Sequence, residues 1–283
     1  MLSPKAEQLI HDYFHLPFPG VAGVRCPYFN NAKSHRRAQL RALIGKGLPQ
    51  EIVDEAKIVS IQYGAGVFDH QGHCRLCDEH ASECPGSITI RHFLIDHELG
   101  VDCSGFINHV LRAHFKETKG IDLAKKFVAN IDASWLRKLI MRLRPIENLG
   151  VRSALANDKN TEKIGDEKSG YDFSKIRPAD LVIMLETGPQ NKRSHVLLIT
   201  DCDGRTIKYV HSRAWSGEGQ YGHGVNTGEI RITKPGGGLL EQEWEEKIPP
   251  QQENLFDVGV LPQNETLLEA KQARILEIRR VKI

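Results

Sequence analysis

Through the first half of the chain apolar residues recur at helical intervals, and after Pro178 they collect instead in short β-branched runs. Between Ser34 and Lys46, Leu40, Leu43 and Ile44 mark one helix, and Pro49 opens a second that carries Ile52, Val53, Ala56 and Val59. Residues 64–86 hold Gly, His and Cys with no apolar period, so they read as a loop that needs another organiser. A short helix is expected over Ser87–Leu99, ended by Gly100. The next starts at Asp102, whose carboxylate suits an N-cap, and Phe106, Ile107, Val110 and Leu111 mark its buried face. Two further helices are expected near Asp122–Asn130 and Ala133–Leu143, with Pro145 stopping the second, while residues 155–172 are polar and read as an exposed loop.

Strand patterns follow at Leu181–Leu185, Val196–Thr200 and Ile207–Val210, with fainter ones at Gly228–Thr233 and Phe256–Val260. Glu265–Ile275 reads as a closing helix. Helices first and strands later indicate the α+β class.

Composition narrows the functional classes. A chain of 283 residues can bury a core without disulfide staples, and a net charge of +2 is too near balance to suggest a nucleic-acid groove. No apolar run approaches the ~20 residues needed to span a bilayer. The opening Met1–His15 lacks the basic-then-apolar order of a secretory signal, so the expected location is the cytoplasm. There the six cysteines serve as thiols or metal ligands rather than disulfides.

Two segments carry candidate chemistry. Gly100-Val-Asp-Cys-Ser-Gly-Phe-Ile places Cys103 on the first turn of a helix, where partial positive charge and unpaired N–H groups lower a thiol pKa and can receive an oxyanion. Ser194-His195 to Val210-His211 reads as two strands joined near Asp203-Gly204, with a histidine at each outer end. A three-residue loop over Cys202–Gly204 sets His195 opposite His211, with Leu197, Ile199, Ile207 and Tyr209 forming a shared apolar face for the Cys103 helix. A two-residue loop sets Ser212 opposite His195 instead.

These residues resemble the NlpC-type family of papain-like cysteine peptidases, the cell-wall γ-D-glutamyl-diamino acid endopeptidases and their relatives. Asp102-Cys-Ser-Gly-Phe106 is similar to that family's nucleophile motif, Ile176-Arg-Pro-Ala-Asp-Leu-Val-Ile183 to the strand before its histidine, and Ser194–Gly204 with Tyr209-Val-His-Ser212 to its histidine and third-residue strands. The resemblance spans about residues 96–215. It implies a papain-like core in which a nucleophile helix packs on an antiparallel sheet, with Cys103 as nucleophile, His195 as base and His211 as the residue that orients the base. The apolar pattern gives a helical region over 1–95 with a Cys-rich loop, and the resemblance implies a catalytic domain over 96–283 with an insert at about 118–176. The expected reaction is hydrolysis of peptide-like amide bonds through a thioester, on a peptide or muropeptide-like substrate. Thioester-dependent acyl transfer and a catalytically silent metal-containing binding module are the alternatives.

Cys74-x2-Cys77-x2-His80-x3-Cys84 offers three thiolates and an imidazole, a donor set that suits a structural Zn²⁺ and would order a loop poor in apolar residues. Cys26 or His73 could replace His80. The basic run Trp135–Arg144 reads as a core-facing helix with a solvated side, and Gly45-Lys46-Gly47 is too short for a phosphate loop.

Overall fold

The computed structural model describes residues 1–29, 45–62, 64–69, 71, 73–75, 86–129, 145–214, 222–246 and 264–283. Helices α1 (Pro4–Phe14), α2 (Pro49–Gln62), α3 (Gly86–Asp96), α4 (Cys103–Lys119) and the short α5 (Leu123–Lys126) come first, and α6 (Glu265–Gln272) comes near the end. Among the described residues seven strands build one antiparallel sheet. They are β1 (Thr161–Asp166), β2 (Leu181–Thr187), β3 (Arg193–Cys202), β4 (Thr206–Arg213), β5 (Gly224–Arg231), β6 (Glu243–Glu246) and β7 (Ile275–Val281), in the order β1-β7-β2-β3-β4-β5-β6. The protein is therefore of the α+β class.

Helix α4 forms because its local signals agree. Asp102 is extended and its carboxylate accepts a 2.6 Å hydrogen bond from the Gly105 N–H, while Gly120 closes the other end in the left-handed conformation. Phe106, Ile107, Val110 and Leu111 are fully buried. They join Leu181, Ile183, Val196, Leu198 and Val210 on one face of the sheet. Each such side chain removed from water contributes on the order of 2 kcal/mol. The same cluster takes in Ala6 and Tyr13 of α1, Val53 and Ala56 of α2 and Ile90 and Leu94 of α3. Tyr13 meets Phe106 edge to face, 5.1 Å between ring centres. Residues from all three helices before 96 thus share one core with α4. The alternate positions Val182, Met184, Leu197, Ile199, Tyr209 and Ile230 face the other way, under Phe173, Leu239 and Trp244.

Several sequence expectations differ from what is found. Residues 155–172 are not all loop: Thr161–Asp166 forms an edge strand, polar because β7 alone pairs with it. The closing helix stops at Gln272, and Ile275–Val281 becomes a strand between β1 and β2. Its charged residues conceal it in sequence, because Glu277 and Arg279 are buried as a 2.9 Å ion pair, with Arg279 Nε donating to Thr161 Oγ1 at 2.8 Å. The helix expected over Asp122–Asn130 is a single turn that ends before the extended Phe127. Gly45 and Lys46 are not helical but bridge to Val101. The rest of the helix expected over Ser34–Lys46, the Ala133–Leu143 helix and the Phe256–Val260 strand lie outside the described residues.

Candidate active site

The turn that leads into α4 is held from several sides. Asp102 N–H donates to Gly45 O at 2.9 Å, Val101 N–H to Pro27 O at 3.0 Å, and Ser212 Oγ of β4 to Val101 O at 2.7 Å. These contacts leave no room at Gly105, where a Cβ would fall 2.2 Å from the Gly45 carbonyl oxygen. The residue after Cys103-Ser104 therefore has to be glycine. Cys103 itself is buried at 7 % exposure.

The histidine hairpin pairs differently from the sequence expectation. Its loop is Asp203–Arg205, with the Asp203 carboxylate accepting the Arg205 and Thr206 N–H groups, and a bulge lies between Ile199 and Asp201. Leu198 then pairs with Val210 and Ile199 with Tyr209, two residues out from the expected register. An even shift keeps every side chain on its face, so the two imidazoles still meet, now as diagonal neighbours. His195 Nε2 lies 2.8 Å from His211 Nδ1. The Leu197 and Tyr209 face beside them does not receive the Cys103 helix, which packs on the opposite face through Val196, Leu198 and Val210. Cys103 and His195 instead share a cavity of about 780 Å³, lined also by Ser104, Tyr28, Arg193 and Glu269, among others.

Behind the imidazoles stands a carboxylate that carries no sequence signal. Glu246, at the end of the four-residue β6, stands 3.2 Å from His211 Nε2 and 2.9 Å from Arg213, and accepts the Tyr209 hydroxyl at 2.8 Å. Burial opposes its ionisation, but His211 and Arg213 outweigh burial and hold its pKa at about 2. Burial lowers both imidazole pKa values, that of His195 well below the usual range with His211 adding to the effect. At neutral pH the row is one carboxylate and two neutral rings. The carboxylate then draws the His211 proton to Nε2, His211 Nδ1 accepts from His195 Nε2, and His195 Nδ1 is left unprotonated.

The Cys103 thiol does not follow the expectation of a lowered pKa. Burial first, then the Asp102 and Glu269 carboxylates, push it up to about 12 against the pull of Lys46 and of the Ser104 N–H. Desolvation outweighs the helix terminus here. The resting site is a neutral thiol and a neutral imidazole on one cavity.

Glu269 of α6 is a second unforeseen acid. It is 5 % exposed, accepts the Thr187 hydroxyl at 2.6 Å, and burial raises its pKa to about 7. Of the expected metal ligands Cys74 is half-buried in a bridge to Phe68, whereas Cys77, His80 and Cys84 lie outside the described residues, among which no group of three potential ligands occurs. No helix among the described residues is long and apolar enough to cross a membrane. Comparison with models of known protein families, with curated proteins and with solved structures gives no match to this chain.

Proposed function

We propose that the protein is a cysteine hydrolase that cleaves peptide-like amide bonds, with Cys103 as nucleophile, His195 as base and His211 as the residue that orients it. The observation that carries this reading is the 2.8 Å contact between His195 and His211, backed by Glu246, in a row whose first imidazole shares a cavity with a cysteine at a helix N-terminus. The packing of α4 on an antiparallel sheet supports the papain-like core that the NlpC-type resemblance implies.

In the proposed reaction His195 Nδ1 takes the thiol proton as Sγ attacks the amide carbonyl, so the unfavourable thiolate exists only along the reaction path. The oxyanion is received by N–H groups of the helix terminus. The imidazolium, stabilised through His211 by Glu246, returns its proton to the departing amine and leaves a thioester, which water hydrolyses by the same route in reverse. We further propose that Cys74, Cys77, His80 and Cys84 hold a structural zinc apart from this chemistry.

Cell-wall peptide fragments incubated with the protein and read by mass spectrometry test the reading. Cleavage is expected in the parent, with loss of at least about a thousandfold in Cys103→Ala and in His195→Ala, and the two losses should not add. Cleavage by Cys103→Ala at a rate near the parent's would overturn the assignment.

A further inference from the structure

A buried cation sits against the nucleophile turn and comes from a part of the chain outside the NlpC-type resemblance. Lys46 has a side chain 3 % exposed, and its Nζ lies 2.8 Å from Asp102 Oδ1 and donates to Ser104 Oγ as well. The same Asp102 oxygen accepts the Ser104 hydroxyl at 2.9 Å and the Gly105 N–H at 2.6 Å. The lysine is placed by its backbone. The carbonyls of three consecutive residues are each taken by a different partner: Gly45 O by Asp102 N–H at 2.9 Å, Lys46 O by His109 Nε2 at 2.7 Å, and Gly47 O by the Tyr13 hydroxyl at 2.8 Å. Such clamping so close to a reactive cysteine is more than a helix cap requires, since an aspartate caps without a buried lysine.

The electrostatics give the lysine a task. Asp102 immediately precedes Cys103, and an uncompensated carboxylate in this dry setting opposes every step that puts negative charge on the sulfur. An ammonium paired with that carboxylate cancels most of its field. We propose that Lys46 is a positioning residue for Cys103: it neutralises the N-cap carboxylate and holds the 45–47 segment against the nucleophile turn, so that thiolate forms beside a neutral pair. Asp102 can then cap the helix without suppressing the nucleophile. The inference rests on Cys103 being the reactive thiol.

Site-resolved alkylation by iodoacetamide across pH 6–10, followed on the Cys103 peptide by mass spectrometry, tests this with no substrate needed. In Lys46→Met the profile is expected to move to higher pH by about one unit. The rate at a fixed pH on the rising limb then falls roughly three- to tenfold, part of the thiolate loss being offset by the greater nucleophilicity of a more basic sulfur. An unchanged profile in folded Lys46→Met would overturn the proposal. Should that variant not fold, because it leaves a buried carboxylate unpaired, the double variant Lys46→Met/Asp102→Asn removes both charges and retains an Asn cap. Its profile is expected to lie within about twofold of the parent's, because the two charges cancel at the sulfur. If Lys46 had no influence, loss of Asp102 alone would speed alkylation, and a double variant about threefold or more faster than the parent would overturn the proposal. Failure of Cys103 to alkylate at any pH in the folded parent counts against the nucleophile itself, and is thereby distinguished from a profile that ignores Lys46.

Discussion

Glu246 does not line the cavity, yet as an acceptor behind the two imidazoles it can fix the direction of the proton between them. The order of hydrogens along the row from Glu246 through His211 to His195 depends on one end being a pure acceptor, because a neutral imidazole accepts as readily as it donates. Glu246→Gln keeps the shape and removes that guarantee. Alkylation of Cys103 at pH 7, where it relies on His195, is expected to slow by on the order of tenfold in Glu246→Gln, further in His211→Ala and most in His195→Ala. A Glu246→Gln variant as slow as His195→Ala would show that the carboxylate does more than orient the row. The Cys103 thiol illustrates competing effects on one group. A helix terminus favours the thiolate, yet burial at 7 % exposure and two carboxylates push the pKa the other way, and burial prevails.

At the scale of elements, the site depends on where strands and helices end. The N-terminal ends of helix α4 and strand β3 both open onto the cavity, and the Ser212 hydrogen bond to Val101 ties the C-terminal end of β4 to the same point. The bulge between Ile199 and Asp201 sets which residues of β3 and β4 are neighbours there. The segment 70–84 before α3 has a different need, because it is poor in apolar residues. For Cys74, Cys77, His80 and Cys84 the expected outcome is one zinc per chain in protein prepared with metal and reductant, measured by elemental analysis. Its removal by chelation should lower the melting temperature and leave Cys103 open to alkylation. Protein free of any transition metal under those conditions, or a folded apo form whose Cys103 no longer reacts, would contradict the structural role.

At the scale of the molecule, the cavity is built from both ends of the chain. Tyr28 comes from the first segment, Cys103 and His195 from the middle, and Glu269 from α6. Glu269 also couples the site to stability. Its folded-state pKa of about 7 stands above the ordinary glutamate range, so its contribution is fully present below the unfolded pKa and is lost as pH rises through about 7. The loss amounts to about 3 kcal/mol for this well-buried group. Glu269→Gln, which can still accept the Thr187 hydroxyl, is expected to gain roughly 5 °C in melting temperature over the parent at pH 8.5 and little or nothing at pH 5. An equal gap at both pH values would sink this account. Which of these features could be read from the chain follows from their range. The Asp102 cap, the apolar stripe of α4, the apolar runs of strands β2 to β4 and the nearness of the two histidines are local patterns, legible because propensity and periodicity act within a few residues. The even shift in register left the histidine pair intact because strand faces alternate with period two. Glu246, Glu269, Lys46 and strand β7 carried no such signal: acids and lysines are common on surfaces, and a strand with a buried Glu277–Arg279 pair does not look apolar. Only the tertiary structure decided that these charges lie inside, because each becomes tolerable there through a partner, and all but the Glu277–Arg279 pair rely on one supplied by a distant part of the chain.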